Sequence, residues 1–224
     1  FHKLADALWK ANLKPGVIDN DNLFGGWGLV SRHARAWEDE QSNEAFLSAA
    51  NDIKNFTFSD RENYTKENID TLKWRHWIIS FCIKYSVLFS HHKNINFVEC
   101  GVGFGWSAFF SMREMEHLKQ AKQIEDYHSH LYDVFIANAK YGNLSHEITA
   151  SNLKEFETNI TWHIGYVPDT FHQGSPSPNN VNFLHIDLNH VDPSIAAIDH
   201  FWEKLDDRAL ILFDDYGHNA HKKL

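Results

Sequence analysis

Apolar residues recur with two different spacings along the chain, and the change between them predicts the order of its elements. Residues 1–58 show no sustained period, which predicts an irregular, partly helical N-terminal segment. After the capping-box sequence Ser59–Glu62, apolar residues recur at helical spacing and predict a long amphipathic helix packed on the core. Its predicted core-facing residues are Trp74, Trp77, Ile78, Phe81, Cys82, Tyr85, Leu88 and Phe89.

From Ile95 onward, short β-rich runs alternate with helical segments, as in βαβ units with a mostly parallel sheet. The predicted strands are Ile95–Glu99, His130–Val134, Ile160–Ile164, Val181–Ile186 and Ala209–Phe213. The predicted helices are Trp106–Gln123, Leu153–Glu157, and one capped by Asp192 before Pro193 with an apolar stripe of Ile195, Ile198, Trp202 and Leu205. We therefore expect a doubly wound α/β fold over residues 59–224, with ligands beyond the carboxyl ends of the strands. Residues 1–58 would form a helical lead-in that serves as a lid or substrate region.

Composition narrows the class of protein. With 224 residues and 43% hydrophobic content, the chain can bury one sizeable core. Its net charge of −9 argues against a nucleic-acid partner and favours a small-molecule substrate.

Cys82 and Cys100 lie in apolar segments and predict reduced, buried thiols, and hence a cytoplasmic location. The apolar run Trp77–Ile83 is too short for a membrane helix, and the start at Phe1 rather than Met suggests a fragment of a longer protein.

A glycine-rich turn follows the first predicted strand and precedes a helix. It reads Glu99-x-Gly101-x-Gly103-x-Gly105, and glycines there allow a sharp turn and close approach of a ligand to main-chain N–H groups. The spacing differs from the dinucleotide fingerprint and favours an adenosyl cofactor, although a tight connection without a ligand would look similar. The candidate cofactor residues are Glu99, Gly101, Val102, Gly103, Gly105 and Ser107.

Asp133 ends the second predicted strand, where a carboxylate can accept both hydroxyls of a ribose. It is the ribose candidate, and a solvated loop acid is the alternative.

Three further carboxylates end the fourth and fifth predicted strands. Asp187 follows one, and Asp214 and Asp215 follow the other, so we expect them to converge at one edge of the sheet. Such close like charges favour a cation between them, and oxygen ligands favour Mg²⁺, unless the aspartates merely begin a turn. His190, three residues after Asp187, is the candidate general base beside a metal-bound hydroxyl, with a surface histidine as the alternative.

Several ordered segments together resemble the macrocin O-methyltransferase (TylF-type) family of class I methyltransferases. They are Phe97–Ala108, Leu131–Phe135, Gly165–Phe171, Leu184–Asp187 and Phe213–Gly217. The resemblance implies S-adenosylmethionine at the glycine turn, with Tyr166 beside the adenine, and Mg²⁺ at Asp187, Asp214 and Asp215. It also implies methyl transfer to a hydroxyl, often on a sugar of a natural product, with residues 59–224 as the methyltransferase domain.

The chain departs from that family at two places. Asn189 and Val191 stand where the family has Asp and Tyr, and the chain stops at Leu224, before the last two strands of a class I methyltransferase. Two alternatives are kept: a nicotinamide-dependent oxidoreductase on a similar sheet, and a non-catalytic cofactor-binding domain. The acceptor is not identified by the sequence, and a homo-oligomer is left open.

Overall fold

The computed structural model describes residues 40–41, 43–58, 72–137 and 142–214. Its centre is a five-stranded parallel sheet in the order β3-β2-β1-β4-β5. The strands are β1 (Asn94–Cys100), β2 (Asp126–Asp133), β3 (Ile160–Ile164), β4 (Val181–Ile186) and β5 (Leu205–Phe213). This order confirms the predicted doubly wound α/β fold, since the first strand lies in the middle of the sheet and later strands are added on both sides of it.

Five α-helices belong to the described ranges. They are α1 (Glu44–Asp52), α2 (Lys73–Phe89), α3 (Trp106–Gln120), α4 (His146–Asn152) and α5 (Val191–Phe201). Three short 3₁₀ helices follow α1, α4 and α5, at Ile53–Asn55, Lys154–Asn159 and Trp202–Lys204. A fourth, Asp169–Phe171, lies between β3 and β4. The predicted capping box at Ser59–Glu62 lies outside the described residues.

Helix α2 forms where the sequence predicts it, but with a different buried face. Phe81 is 51% exposed and Leu88 is 73% exposed, whereas Ile79, Ile83 and Val87 are buried together with the small Ser80 and Ser86. The small side chains let α2 lie close to α3, and Trp77, Phe81, Tyr85 and Phe89 contact one another with tilted rings. Of the predicted core-facing residues, Cys82 is buried and Trp77 and Ile78 pack against the core, so the predicted face was wrong for Phe81, Tyr85, Leu88 and Phe89.

Two short helices stand where the sequence predicts one helix at Leu153–Glu157. The first, α4, begins at His146 and ends before the predicted segment. Ser145 caps it, because its Oγ accepts a hydrogen bond of 3.3 Å from the Ile148 N–H. The predicted segment itself lies mostly in the 3₁₀ helix Lys154–Asn159, anchored by the buried Leu153 and Phe156.

Helix α5 also differs in detail from its prediction. Its N-cap residue is His190, so Asp192 lies inside the first turn, where an acid still interacts favourably with the helix dipole. The buried apolar side chains are those of Ala197 and Phe201, and Ile198 and Leu205 of the predicted stripe pack partly against the same cluster. Ile195 and Trp202 are 54% and 60% exposed, so the predicted stripe was right for two of its four residues.

Strands β2 and β5 start four residues before their predictions. The first half of β2 is polar, but Ser129 and His130 are buried, and His130 Nδ1 lies 3.1 Å from His163 Nε2 on β3. In β5 a register shift separates Leu205, which pairs with Val181, from Leu210, which pairs with Phe183, so only the later part of the strand pairs regularly.

Helix α1 belongs to the same core as α3. Phe46, Ala49 and Ile53 are buried in one cluster with Phe109 and Phe110. The division at residue 58 stays a prediction, and residues 1–39 of the proposed lid lie outside the described part of the chain. Both cysteines are buried and unbridged, as predicted, and no helix within the described ranges has the length and apolarity needed to cross a bilayer.

Glu114 on α3 is an ionisable side chain buried between helices. Its side chain is fully buried, and Lys84 Nζ on α2 lies 3.7 Å from Oε1. Burial raises the pKa of Glu114 to about 7, and Lys84 only partly offsets this effect. The folded protein therefore holds a proton on Glu114 at pH values where the unfolded chain has released it.

We expect Glu114→Gln to stabilise the protein above neutral pH. The folded pKa is raised from 4.5 to about 7, so the contribution of Glu114 to stability falls as pH rises through this window. By about pH 8 the variant should gain up to about 3 kcal/mol over the wild type, and near pH 4 this gain should vanish. Urea unfolding across this pH range measures the effect, with the exposed Glu125→Gln as the control. An equal gain at both ends of the range would show that ionisation of Glu114 is not its cause.

Candidate functional site

A cavity of about 830 Å³ opens at the carboxyl edge of the sheet. Hydrogen bonds across this edge continue one residue past the strands: Gly101 N–H to Tyr132 O, Gly165 N–H to Asp133 O, Asp187 N–H to Cys100 O, and Asp214 N–H to Ile186 O. Hydrogen bonds between neighbouring chain segments therefore fix the backbone at this edge, as they do within the sheet. Predicted site residues that line the cavity are Gly101, Val102, Gly103, Ser107, Asp133, Tyr166, Asp187, His190 and Asp214.

The three glycines of the turn have different tasks. All three have positive φ angles, and a Cβ on Gly101 would lie 2.0 Å from the Asp187 carbonyl oxygen. A Cβ on Gly105, which is the N-cap residue of α3, would lie 3.0 Å from the Leu153 side chain. A Cβ on Gly103 would meet no described atom within 4 Å. Gly101 and Gly105 are thus needed for packing, and Gly103 presents bare backbone to the cavity.

Asp133 holds this turn in place by hydrogen bonds. Its Oδ2 accepts hydrogen bonds from the Val102 N–H at 2.7 Å and the Gly103 N–H at 2.8 Å, and its Oδ1 accepts one from Phe135. The N–H groups of Val102 and Gly103, which the sequence predicted would meet a ligand, bind Asp133 instead. Because each carboxylate oxygen accepts about two hydrogen bonds, Asp133 retains room for about one ribose hydroxyl rather than the predicted two.

Glu99 lies behind the turn rather than on the cavity wall. Its side chain is fully buried, the Ser107 hydroxyl donates to Oε1, and His185 Nδ1 lies 3.1 Å from the same oxygen. Burial alone would lower the pKa of His185, but Glu99 outweighs it and raises that pKa, which favours the protonated imidazole. Direct contact between Glu99 and a cofactor stays a prediction, and this geometry instead makes Glu99 the residue that orients Ser107.

Asp187 and Asp214 converge as predicted, but on an arginine that the sequence analysis missed. Arg75, in the first turn of α2, places Nη2 2.5 Å from Asp187 Oδ2 and Nε 2.6 Å from Asp214 Oδ1. The first contact is an aligned hydrogen bond, whereas the second is an ion pair without that alignment. Burial would lower the pKa of Arg75, but the two carboxylates raise it above its ordinary value, so the guanidinium is permanently charged.

The described residues do not fit the predicted magnesium site. Both carboxylates are already paired with Arg75, and the described ranges contain no group of three acidic, histidine or cysteine side chains placed to hold a metal. The third predicted ligand, Asp215, lies outside the described residues. The only sequence signal for Arg75 was a single basic residue between Trp74 and His76, 112 residues before Asp187.

His190, Asn189 and Tyr166 complete the wall of the cavity. His190 is exposed, and Asn189 has a positive φ angle of 57° with Nδ2 donating to Asp187 Oδ1 at 3.3 Å. Asparagine tolerates this left-handed backbone better than most residues, which explains its presence after Asp187. Tyr166 is 65% exposed beside Gly165, where a flat ring system can reach it.

Comparison with known proteins identifies the family. A family model described as a methyltransferase domain matches residues 98–216, which is just over half of the chain. The chain belongs to this methyltransferase family. It is accordingly an S-adenosylmethionine-dependent enzyme, which sets aside the oxidoreductase and the non-catalytic domain. By sequence, this methyltransferase matches none of the curated proteins.

Solved structures of other methyltransferases are similar to this chain to different degrees. The O-methyltransferase NovP aligns with a TM-score of 0.57 at 13% identity, covering 76% of this chain and 84% of that one. The TDP-rhamnose 3′-O-methyltransferase CalS11 aligns with a TM-score of 0.45 at 12% identity, covering 82% and 81%. A precorrin-6Y C5,15-methyltransferase from Geobacter metallireducens GS-15 gives 0.43 at 15% identity, covering 72% and 69%. At 13% identity, the match to NovP shows only that the two proteins share a fold, which is a sheet with flanking helices.

We expect two alanine substitutions in the turn to differ sharply in stability. Gly101→Ala forces a Cβ into the Asp187 backbone and should cost more than about 3 kcal/mol or prevent folding. Gly103→Ala adds a methyl group to open space at positive φ and should cost only about 1 kcal/mol. Chemical denaturation followed by circular dichroism compares the two. Equal losses for both variants would show that the turn does not pack against Asp187 as described.

Proposed function

We propose that this methyltransferase transfers a methyl group from S-adenosylmethionine to a hydroxyl of a small molecule, such as a sugar or a natural product. The observation that carries the proposal is one continuous cavity, which joins the bare backbone of Gly103 to the paired acids Asp187 and Asp214. Its volume of about 830 Å³ is near the upper end of ligand pockets, which suits a nucleoside cofactor together with an acceptor. The segments shared with the macrocin O-methyltransferases and the fold shared with an O-methyltransferase support oxygen as the acceptor atom.

The cofactor would occupy the half of the cavity next to β1 and β2. Gly103 admits it without a side-chain clash, and Asp133 accepts one ribose hydroxyl while it holds the turn in shape. Gly101, Val102, Gly105 and Ser107 shape this half of the site, and Glu99 supports Ser107 from behind. Tyr166 lies where the predicted adenine would reach, beside the end of β3.

The acceptor would occupy the half next to β4 and β5. Bound S-adenosylmethionine supplies an electrophilic methyl group: the new O–C bond forms as the S–C bond breaks, giving S-adenosylhomocysteine and releasing the hydroxyl proton. Asp187 and the Arg75 guanidinium orient the acceptor oxygen, and the exposed His190 takes up the released proton or passes it to solvent. Magnesium has no step in this proposal, because the carboxylates that would bind it are already paired.

Asp133→Asn should weaken cofactor binding at least about tenfold, because the amide oxygen can keep the Val102 and Gly103 N–H bonds only if the NH2 group faces the Phe135 N–H, which it cannot accept. Isothermal titration with S-adenosylhomocysteine measures this change. Asp126→Asn is the matched control, since Asp126 starts the same strand at the opposite edge of the sheet. Unchanged affinity in Asp133→Asn, or no binding to the wild type at millimolar ligand, contradicts the cofactor site.

The acceptor class is tested separately by turnover. The wild type, S-adenosylmethionine and a panel of sugars, phenols and amines are incubated, and S-adenosylhomocysteine and the methylated product are measured by mass spectrometry. Methylation of hydroxyl acceptors supports the proposal. Products methylated only at nitrogen or carbon would overturn it.

A further inference from the structure

We propose that Arg75 is the resident cation of this site and excludes a divalent metal from Asp187 and Asp214. This inference concerns the acceptor half of the cavity, so its meaning for catalysis rests on the proposed function. The observation behind it is that one guanidinium contacts both acids, at 2.5 Å and 2.6 Å, in the place where the sequence predicted a magnesium ion.

The pairing is partly shielded from water. The side chains of Arg75, Asp187 and Asp214 are only 25%, 20% and 18% exposed. Charge pairs at this burial are screened less by solvent and salt than pairs on the surface. Removing the guanidinium would leave two carboxylates without the positive charge that joins them, which is an arrangement that attracts a cation.

The backbone that carries Arg75 is anchored by the core. The next residue, His76, is 1% exposed and stacks on Phe110 of α3 with ring centroids 4.5 Å apart. Helix α2 packs along α3 and contacts β4 and β5. The start of α2 therefore cannot withdraw from the site without loss of core packing, and the guanidinium stays within reach of both acids.

Competition between the guanidinium and a metal ion follows from charge and geometry. Mg²⁺ needs carboxylate oxygens at about 2.1 Å with near-octahedral access, and Arg75 occupies one oxygen of each acid. Entry of the ion would also place two positive groups side by side and leave Arg75 without its partners in a shielded position. Guanidinium is the more weakly hydrated of the two cations, so its transfer into this cavity costs less.

For the reaction, Arg75 would supply positive charge beside the acceptor oxygen without a metal. A guanidinium has several N–H donors, and a developing negative charge on the oxygen strengthens its hydrogen bonds to them. The methyltransferase would then need no divalent cation for turnover, although the sequence resemblance implies magnesium at the same acids.

Direct metal binding tests this inference without turnover. Mn²⁺ prefers carboxylate and water ligands, and electron paramagnetic resonance reports the fraction of free ion. At millimolar Mn²⁺ we expect no specific binding to the wild type and one bound ion per chain in Arg75→Met. Adding Asp214→Asn to Arg75→Met should weaken Mn²⁺ binding at least about tenfold, which places the ion at this pair.

Arg113→Met is the matched control. Arg113 also contacts two carboxylates, Asp52 and Glu155, and its exposed fraction of 27% is close to that of Arg75. It lies outside the cavity wall, so its loss should create no comparable site for Mn²⁺. Circular dichroism and thermal unfolding confirm that each variant is folded, and Arg75→Gln replaces Arg75→Met if the latter does not fold.

Two results would overturn the inference. One is stoichiometric Mn²⁺ binding to the wild type that Asp214→Asn abolishes, and the other is a folded Arg75 variant that binds no more Mn²⁺ than Arg113→Met. Titration of the wild type with S-adenosylhomocysteine is run in parallel. Failure of that titration contradicts the proposed function, whereas the Mn²⁺ experiment alone decides the role of Arg75.

Discussion

The close contact between Gly101 and the backbone of Asp187 is the constraint on which the site depends. Gly101 leaves β1 and Asp187 leaves β4, and the absence of a side chain on Gly101 lets the two segments touch. The Asp187 N–H also donates to Cys100 O at 2.8 Å, which extends the sheet to this point. The halves of the cavity that we propose for the cofactor and the acceptor are therefore adjacent because one residue is glycine.

Every buried or half-buried acid of this region discussed above is compensated by a partner from the chain itself. Asp133 accepts backbone N–H groups of the turn, Glu99 faces Ser107 and His185, and Asp187 and Asp214 share Arg75. Such compensation preorganises the cavity, since no charge has to find a partner when a ligand enters. It also explains how several acids can meet at one edge of an already acidic chain.

Local patterns in the sequence were enough to predict the sheet and the glycine turn. Strands β3 and β4 match their predicted bounds because their apolar runs end at clear turn signals, and Asp187 and Asp214 meet because parallel strands end at one edge. Arg75 could not be predicted, since its partners are more than 100 residues away and only tertiary packing joins them. The buried faces of α2 and α5 were predicted only in part, because fully buried residues such as Ile79 and Phe201 lie next to the predicted positions rather than on them.

The central claim is that the cofactor lies between the glycine turn and the acids that Arg75 pairs. A crystal structure with S-adenosylhomocysteine tests it most directly. The account predicts that the ribose lies beside Asp133 and the sulfur end points toward Asp187, with Arg75 still between Asp187 and Asp214. Density for the ligand outside this cavity, or with its adenine end at Asp187, would contradict it.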